Sequence, residues 1–274
     1  MIAGIRSILQ ASGASAETLN LLPQDPRTIL SQIDLDPRTT SYLQCPACYA
    51  LYPFPGGGTH ELPPGAVEHC THRPTPESDP CGVPLWKDRR LGSRTLKVPC
   101  RKYLHQSLKE WVGRLLSRPG VEDILDAPHD QPASGHMADI WDSPVVKSIR
   151  DDDRTPFFAK HGNELRLAFS LGADSFHPLG SLEAKQSMSA TAIYMILLNL
   201  PKDQRFKYKN MYLVGVIPGP SKPSLEQINH ALTLLVGELL EFWKGVYYTR
   251  TYKFPNGRLS KGALIALVCD MLAA

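Results

Sequence analysis

The sequence has no run of the roughly 18–20 consecutive apolar residues that a membrane-spanning helix needs, so no membrane segment is expected. Its opening stretch, MIAGIRSILQASGASAETLN, lacks an apolar run followed by a cleavage site, which argues against a secretory signal. Without export, the six cysteines are not read as a disulfide framework. Metal ligation in an intracellular setting is the better reading for the close-set ones. Also absent are a nucleophile elbow, a phosphate-binding glycine loop and a metalloprotease helix, which leaves a cytosolic hydrolase on an α/β sheet with little support. A formal net charge of +3 is too small to indicate nucleic acid, so that case must rest on local clustering.

What is present is an ordinary soluble composition, 42% hydrophobic and 21% charged, in a chain of 274 residues that can bury a sizeable core in one or two domains. Twenty-four prolines, most of them in the first half or in loops, predict an irregular N-terminal half and a more regular C-terminal one. Four regions follow. Residues 1–40 are a lead-in with a short helix expected at 27–33, after Pro26. Residues 41–103 are rich in Cys, Pro and Gly with little periodicity, as in a small metal-stapled module. Residues 104–160 carry one helix and a polar linker. Residues 161–274 alternate apolar runs with one strong helix, the pattern of an α/β domain.

The helix at 107–116 places Leu108, Trp111, Val112, Leu115 and Leu116 on one face, with Ser107 and Glu110 at capping-box spacing. The linker at 126–154 contains Arg150-Asp151-Asp152-Asp153-Arg154, which invites a metal-site guess but reads more simply as a solvated loop. Leu165, Leu167, Phe169, Leu171 and Ala173 alternate with Arg166, Ala168, Ser170, Gly172 and Asp174, a period-two strand with Asp174 at its end. Apolar runs at 190–200 and 211–217 stop at Pro201 and Pro218. Ser224 and Gln227 then open a helix with the stripe Ile228, Ala231, Leu232, Leu235, Leu239 and Phe242, closed by Gly245. A strand is expected at 246–254. The run 263–269 is apolar on both faces, as a central buried strand should be, and precedes Asp270. Cys269 reads as core, while Cys100 is left open.

Cys45 and Cys48 form a C-x2-C pair; Cys70 and Cys81 follow at looser spacing. Four thiolates suit a tetrahedral structural zinc, which would hold a region too poor in apolar periodicity to fold on its core alone. His72 competes with Cys70 as a ligand. Unrelated thiols are the competing reading. From 87 to 102, seven basic residues (Lys87, Arg89, Arg90, Arg94, Lys97, Arg101, Lys102) stand against Asp88 alone. Such a strip fits contact with DNA phosphates, and equally a solvated surface loop, and no base-reading helix accompanies it. Asp174 and Asp270 each follow an apolar strand, where two carboxylates could hold divalent metal for phosphoryl transfer, although a strand-end aspartate alone is more often a turn-former.

The segment Ser170-Leu171-Gly172-Ala173-Asp174-Ser175-Phe176-His177-Pro178-Leu179-Gly180 resembles the TDGFNPFG signature of CACTA (En/Spm-like) DNA transposases. Asn199-Leu200-Pro201, Ile217-Pro218-Gly219-Pro220 with Lys222-Pro223-Ser224, and Val268-Cys269-Asp270-Met271-Leu272-Ala273 resemble further motifs of that family, in order. Upstream, Cys45-Pro46-Ala47-Cys48, Cys70-Thr71-His72, Pro80-Cys81-Gly82 and the segment from Leu108 to Leu116 are similar to the zinc-binding N-terminal region of the fungal versions. The resemblance implies an incomplete RNase H-like α/β domain preceded by a small irregular zinc module and a helical linker. It also implies catalytic roles for Asp174 and Asp270 with magnesium or manganese, and a third acidic residue beyond 274. The chain is accordingly expected to be an inactive fragment of a cut-and-paste transposase, or alternatively a non-catalytic zinc-dependent DNA- or protein-binding module. Ser175 stands where the family has Gly, and Met271-Leu272 where it has a residue and then Pro. DNA is the expected partner and the nucleus the expected setting (otherwise the cytoplasm); the oligomeric state is left open.

Overall fold

A computed structural model describes residues 10–21, 37–127, 137–177 and 189–268. The chain divides into two units, 1–38 and 39–274. In the first, helix α1 (Ala16–Leu21) begins where Ser15 Oγ accepts the Thr18 N–H at 3.2 Å. The helix expected at 27–33 lies outside the described residues.

The second unit is mixed α/β and is built around one large, curled, eight-stranded sheet. In chain order it contains β1 (Thr39–Gln44), β2 (Leu51–Pro53), β3 (Trp86–Leu91), β4 (Arg94–Pro99), β5 (Lys102–Gln106), α2 (Leu108–Leu116), α3 (Val121–Leu125) and α4 (Pro144–Ser148). Then come β6 (Leu165–Phe176), β7 (Ala190–Leu197), α5 (Lys202–Arg205), β8 (Met211–Ile217), α6 (Leu225–Lys244), β9 (Val246–Tyr248) and β10 (Arg258–Val268). The sheet order is β2-β1-β5-β8-β7-β6-β10-β9, while β3 and β4 form a separate hairpin. All neighbours are antiparallel except β6 and β10, which run parallel from Ser260 beside Leu165 to Val268 beside Gly172. The cysteine-rich stretch thus contributes β1, β2 and β5 to the same sheet.

Period-two alternation sorts β6 onto two covered faces. Leu165, Leu167 and Phe169 join a core with the α2 stripe of Leu108, Trp111, Val112, Leu115 and Leu116, and with Ala231, Leu235 and Phe242 of α6. Ala168 points the other way, into a smaller cluster with Trp141, Val146, Ile196 and Leu198. The α6 cap forms as its sequence predicts. Ser224 Oγ accepts the Gln227 N–H, and the Gln227 side chain accepts the Ser224 N–H at 2.8 Å.

Four expectations are corrected. Ser107 makes no side-chain cap on α2; instead Glu238, on α6, accepts the Leu108 N–H at 3.1 Å. This half-buried carboxylate from a neighbouring helix takes the place of the local Ser107–Glu110 box and also accepts from His105 Nε2 at 3.1 Å. The strand expected at 246–254 is confined to β9. Beyond it, Lys253 N and Thr251 Oγ1 donate to Glu122, at 2.7 and 2.9 Å, which turns the chain away from the sheet. The run at 263–269, read as buried on both faces, is buried among its described residues only at Ala263, and the buried half of β10 lies before it. β9 covers just Arg258 to Ser260 on the outer side, and Leu264, Leu267 and Val268 are exposed.

The charge run 150–154 is also less solvated than expected at one residue. Asp151 is buried, accepts from Thr155 and takes an ion pair from Arg166 Nη1 at 3.3 Å.

Asn199 has a role that its motif hides in the sequence. Its side chain accepts the Ala168 N–H at 2.8 Å and donates to Arg166 O at 2.9 Å, continuing the β6–β7 ladder by one amide. Replacing Asn199 by Ala leaves two buried backbone groups without these partners, at about 1–3 kcal/mol for each group left unsatisfied. Urea unfolding of Asn199→Ala is therefore expected to show a loss of about 2–6 kcal/mol, and a loss below roughly 0.5 would refute the ladder role.

Candidate metal centre and strand-end carboxylate

The metal centre is organised by two backbone turns. After β1, Cys45-Pro46-Ala47-Cys48 folds back so that Tyr49 N donates to Cys45 O at 3.1 Å and Cys45 N to Ala50 O at 2.9 Å. Tyr49 adopts a positive φ of 65°, an uncommon conformation for a residue with a side chain. The second pair is held by Gly82 N donating to Cys70 O at 2.8 Å and Cys81 N to His72 O at 2.9 Å. The four sulfurs of Cys45, Cys48, Cys70 and Cys81 lie within 4.8 Å of one another.

That arrangement fits a tetrahedral ion. A Zn–S distance of about 2.3 Å places tetrahedral sulfurs about 3.8 Å apart. Cys45 and Cys81 are 3.8 Å apart and Cys48 and Cys70 are 3.4 Å apart, too far for disulfides and close to the edges of such a tetrahedron. Burial raises the Cys48 thiol pKa well above its ordinary value, and the adjacent Cys70 and Cys45 sulfurs push it further, against a lowering backbone hydrogen bond at Ala50. A bound cation would reverse that balance by deprotonating the thiols. The Ala47 N–H already donates to Cys45 Sγ at 3.4 Å, and Tyr52 Oη lies 3.2 Å from Cys70 Sγ. The four cysteines could hold a structural metal such as zinc. His72 is not in the cluster; its ring packs edge-on against His230, with centroids 4.7 Å apart. Cys100 also stands outside it, its thiol raised by burial.

The centre is tied to α6 and to the proline-rich turn before it. Gln227 Nε2 donates to Ala47 O at 2.8 Å, and Tyr49 Oη donates to Ser221 O at 3.3 Å. The Asn199-Leu200-Pro201 motif is fastened similarly. Arg205 donates through Nε to Leu200 O at 2.6 Å and grips Asp139 through both Nη atoms at 2.8 Å.

Asp174 sits near the carboxyl end of β6 with an exposed side chain, beside Ala192 of β7. Its Oδ1 accepts the Ser175 N–H at 2.7 Å, while Ser175 Oγ and Thr191 Oγ1 are 2.8 Å apart. Two residues earlier, Gly172 lies under the Tyr194 ring, where an added Cβ would come within 2.8 Å of Cζ. Asp270 lies outside the described residues, as does Cys269. Val268 is the last described residue of β10; it pairs with Gly172, and each stands two residues ahead of an aspartate in the sequence.

Sequence reasoning missed a buried ion cluster at the opposite end of β6. Arg258, 3% exposed, donates to Glu122 Oε1 at 3.1 Å and to Asp126 Oδ1 at 2.8 Å; Glu122 is 2% exposed. Lys253 completes it on Asp126 at 3.0 Å and Asp123 at 2.8 Å. A cavity of about 740 Å³ opens beside it, lined by Trp141, Phe158, Lys253 and Arg258 among others. By strand rise it lies roughly 30 Å from Asp174. No helix among the described residues is long and apolar enough to cross a membrane.

Fold and centre together define a mixed α/β protein with a four-thiolate cluster able to hold a structural metal. Residues 134–273 match the family described as Transposase family tnp2. The match spans just over half of the chain, and the chain belongs to that family. It takes in β6 to β10 and both aspartates, and it leaves out the cysteine centre and the β3–β4 hairpin. No curated protein and no solved structure matches the sequence.

Proposed function

We propose that the chain belongs to a cut-and-paste DNA transposase of the CACTA (En/Spm-like) class, fungal branch, with an RNase H-like domain whose divalent-metal ligands include Asp174 and Asp270. The observation that carries this reading is the topology around Asp174. β6, β7 and β8 form an antiparallel meander, α6 crosses over, and β10 returns parallel to β6 on its other side. Functional groups of α/β sheets gather at the carboxyl ends of such adjacent parallel strands. Carboxylates there hold magnesium or manganese, which activates a water or a 3′-hydroxyl and stabilises the leaving oxygen. Asp174 is exposed, ordered by the Ser175 N–H and free to ligate through its other oxygen. Zinc in the four-cysteine centre is structural, because protein thiolates fill all four positions. DNA as substrate implies a nuclear setting.

The test is manganese-induced broadening of amide resonances in the whole chain. Broadening centred on Ala173 to Ser175, and its loss in Asp174→Asn, is expected. Broadening that ignores the substitution would remove Asp174 from the metal site.

A non-catalytic, zinc-dependent DNA-binding module is the second reading. The observation favouring it is the cationic β3–β4 hairpin beside the cysteine centre. Salt-sensitive DNA binding that survives Asp174→Ala and Asp270→Ala but is lost in Cys45→Ser would select it.

A further inference from the structure

Five of the seven basic residues at 87–102 (Lys87, Arg89, Arg90, Arg94 and Lys97) lie on a two-stranded ribbon rather than a loop, while Lys102 belongs to β5 of the large sheet. The ribbon's register sets Lys87 beside Val98, Arg89 beside Leu96, and Leu91 beside Arg94, all on one face. Each row of that face therefore holds one cation and one apolar side chain, with the cation changing strand at the tip. On the opposite face Asp88 and Lys97 pair at 2.8 Å and cancel, which leaves Arg90, beside Thr95, as the one net cation there against three on the first face. Lys87, Arg89 and Arg94 have no ion-pair partner among the described residues, and Leu91 at the tip is 61% exposed. Gly92, with φ 62°, makes the tight turn before Ser93.

The ribbon's base is fixed to the metal centre. Trp86, the first residue of β3, is buried in the cluster that contains Cys45 and Cys70, and donates through Nε1 to Val67 O at 2.9 Å. Cys100 N closes the base on Leu85 O at 2.8 Å. Gly58 N donates to Lys97 O and Lys97 N to Thr59 O, at 3.0 and 2.7 Å, which covers the β4 edge. A rigidly rooted ribbon with one cationic face loses little entropy when it docks on a polyanion.

We propose that this hairpin enters the major groove of double-stranded DNA with the face that carries Lys87, Arg89 and Arg94. The proposal rests on the reading of DNA as the partner. Two strands about 4.8 Å apart, with their side chains, measure on the order of 10 Å across. That fits a major groove about 12 Å wide and not a minor groove about 6 Å wide. Lys87 and the two arginines reach phosphates and base edges, and Leu91 leads at the tip.

The experiment compares the full chain with the triple variant Lys87→Gln, Arg89→Gln, Arg94→Gln on a short mixed-sequence duplex, by fluorescence anisotropy across a salt series. Loss of up to three phosphate contacts lowers the slope of log affinity against log salt by up to about 2.7, and weakens binding roughly 100-fold near physiological salt. A control that removes the same charge elsewhere (Lys202→Gln, Lys207→Gln, Lys209→Gln) is expected to bind within a few-fold of the parent. Equal metal content and melting temperature show that all three proteins are folded. The parent is also expected to protect guanine N7 from methylation. Parent-like binding by the hairpin variant, equal loss in the control, or protection of adenine N3 instead would each overturn the hairpin proposal while leaving DNA as the partner. A parent that binds no duplex would sink the DNA reading itself.

Discussion

Removal of the metal from the four-cysteine centre is expected to unfold the surroundings of residues 45–100 while the centre of the sheet survives. Among the described residues, the core around the cysteines has Leu43, Cys45, Ala50, Cys70, Leu85 and Trp86 as its buried members, and two of the six are cysteines that could ligate the metal. So few buried side chains cannot offset the chain entropy of about fifty ordered residues at 1–2 kcal/mol each. Structural zinc sites supply apparent binding energies of about 10–16 kcal/mol, enough to decide whether such a region folds. Cys45→Ser and Cys48→Ser are accordingly expected to purify without zinc. Their amides from Tyr49 to Cys100 should exchange within minutes, while those of Leu167, Ile193 and Val214 stay protected. DNA affinity should fall with the hairpin, since Trp86 is held by the same cluster. Metal-free protein with unchanged exchange at Cys70 and Leu85 would show that the region folds without the ion.

The second large effect is expected at Glu122. Breaking one partner of a buried ion pair typically costs about 3–5 kcal/mol, because the other charge is left without compensation. Arg258 would keep Asp126, the Asn163 carbonyl, which accepts from Nε at 3.0 Å, and the face of the Phe254 ring, but lose its most buried counter-charge. Glu122→Leu is therefore expected to lose about 3–5 kcal/mol in urea unfolding, and Glu122→Leu with Arg258→Met to recover much of it. A single variant within 1 kcal/mol of the parent would refute the role given to the cluster. The same cluster gives an acid limb. Burial pushes the Asp126 carboxyl up, but hydrogen bonds from Arg258 and Lys253 outweigh it and hold its pKa below the ordinary carboxylate value. A depressed folded pKa means that this stabilisation is complete above about pH 4 and is lost as pH falls through the folded value.

Much of this fold could be read from periodicity. The Leu165 to Asp174 alternation, the α2 and α6 stripes and the Ser224–Gln227 box are local patterns, and local patterns survive folding. The gathering of Cys45, Cys48, Cys70 and Cys81 was legible because thiol pairs in a region poor in core have few other uses. What stayed hidden depends on partners far apart in the chain. Glu238 caps α2 across 130 residues, and Glu122 meets Arg258 across 136. Neither spacing carries a sequence signal. The hairpin was hidden for another reason: Lys87, Arg89 and Leu91 alternate with Asp88 and Arg90, so charge masks the period-two pattern. β10 looked central because its residues are apolar, but burial depends on the neighbour, and β9 is short.

Diffraction from crystals of the whole chain grown with manganese, recorded at the zinc and manganese absorption edges, tests the central claim most directly. A zinc peak equidistant from the four cysteine sulfurs and a manganese peak about 2.0–2.6 Å from an Asp174 carboxylate oxygen are expected. Manganese bound elsewhere, with Asp174 ordered and bare, would contradict that claim.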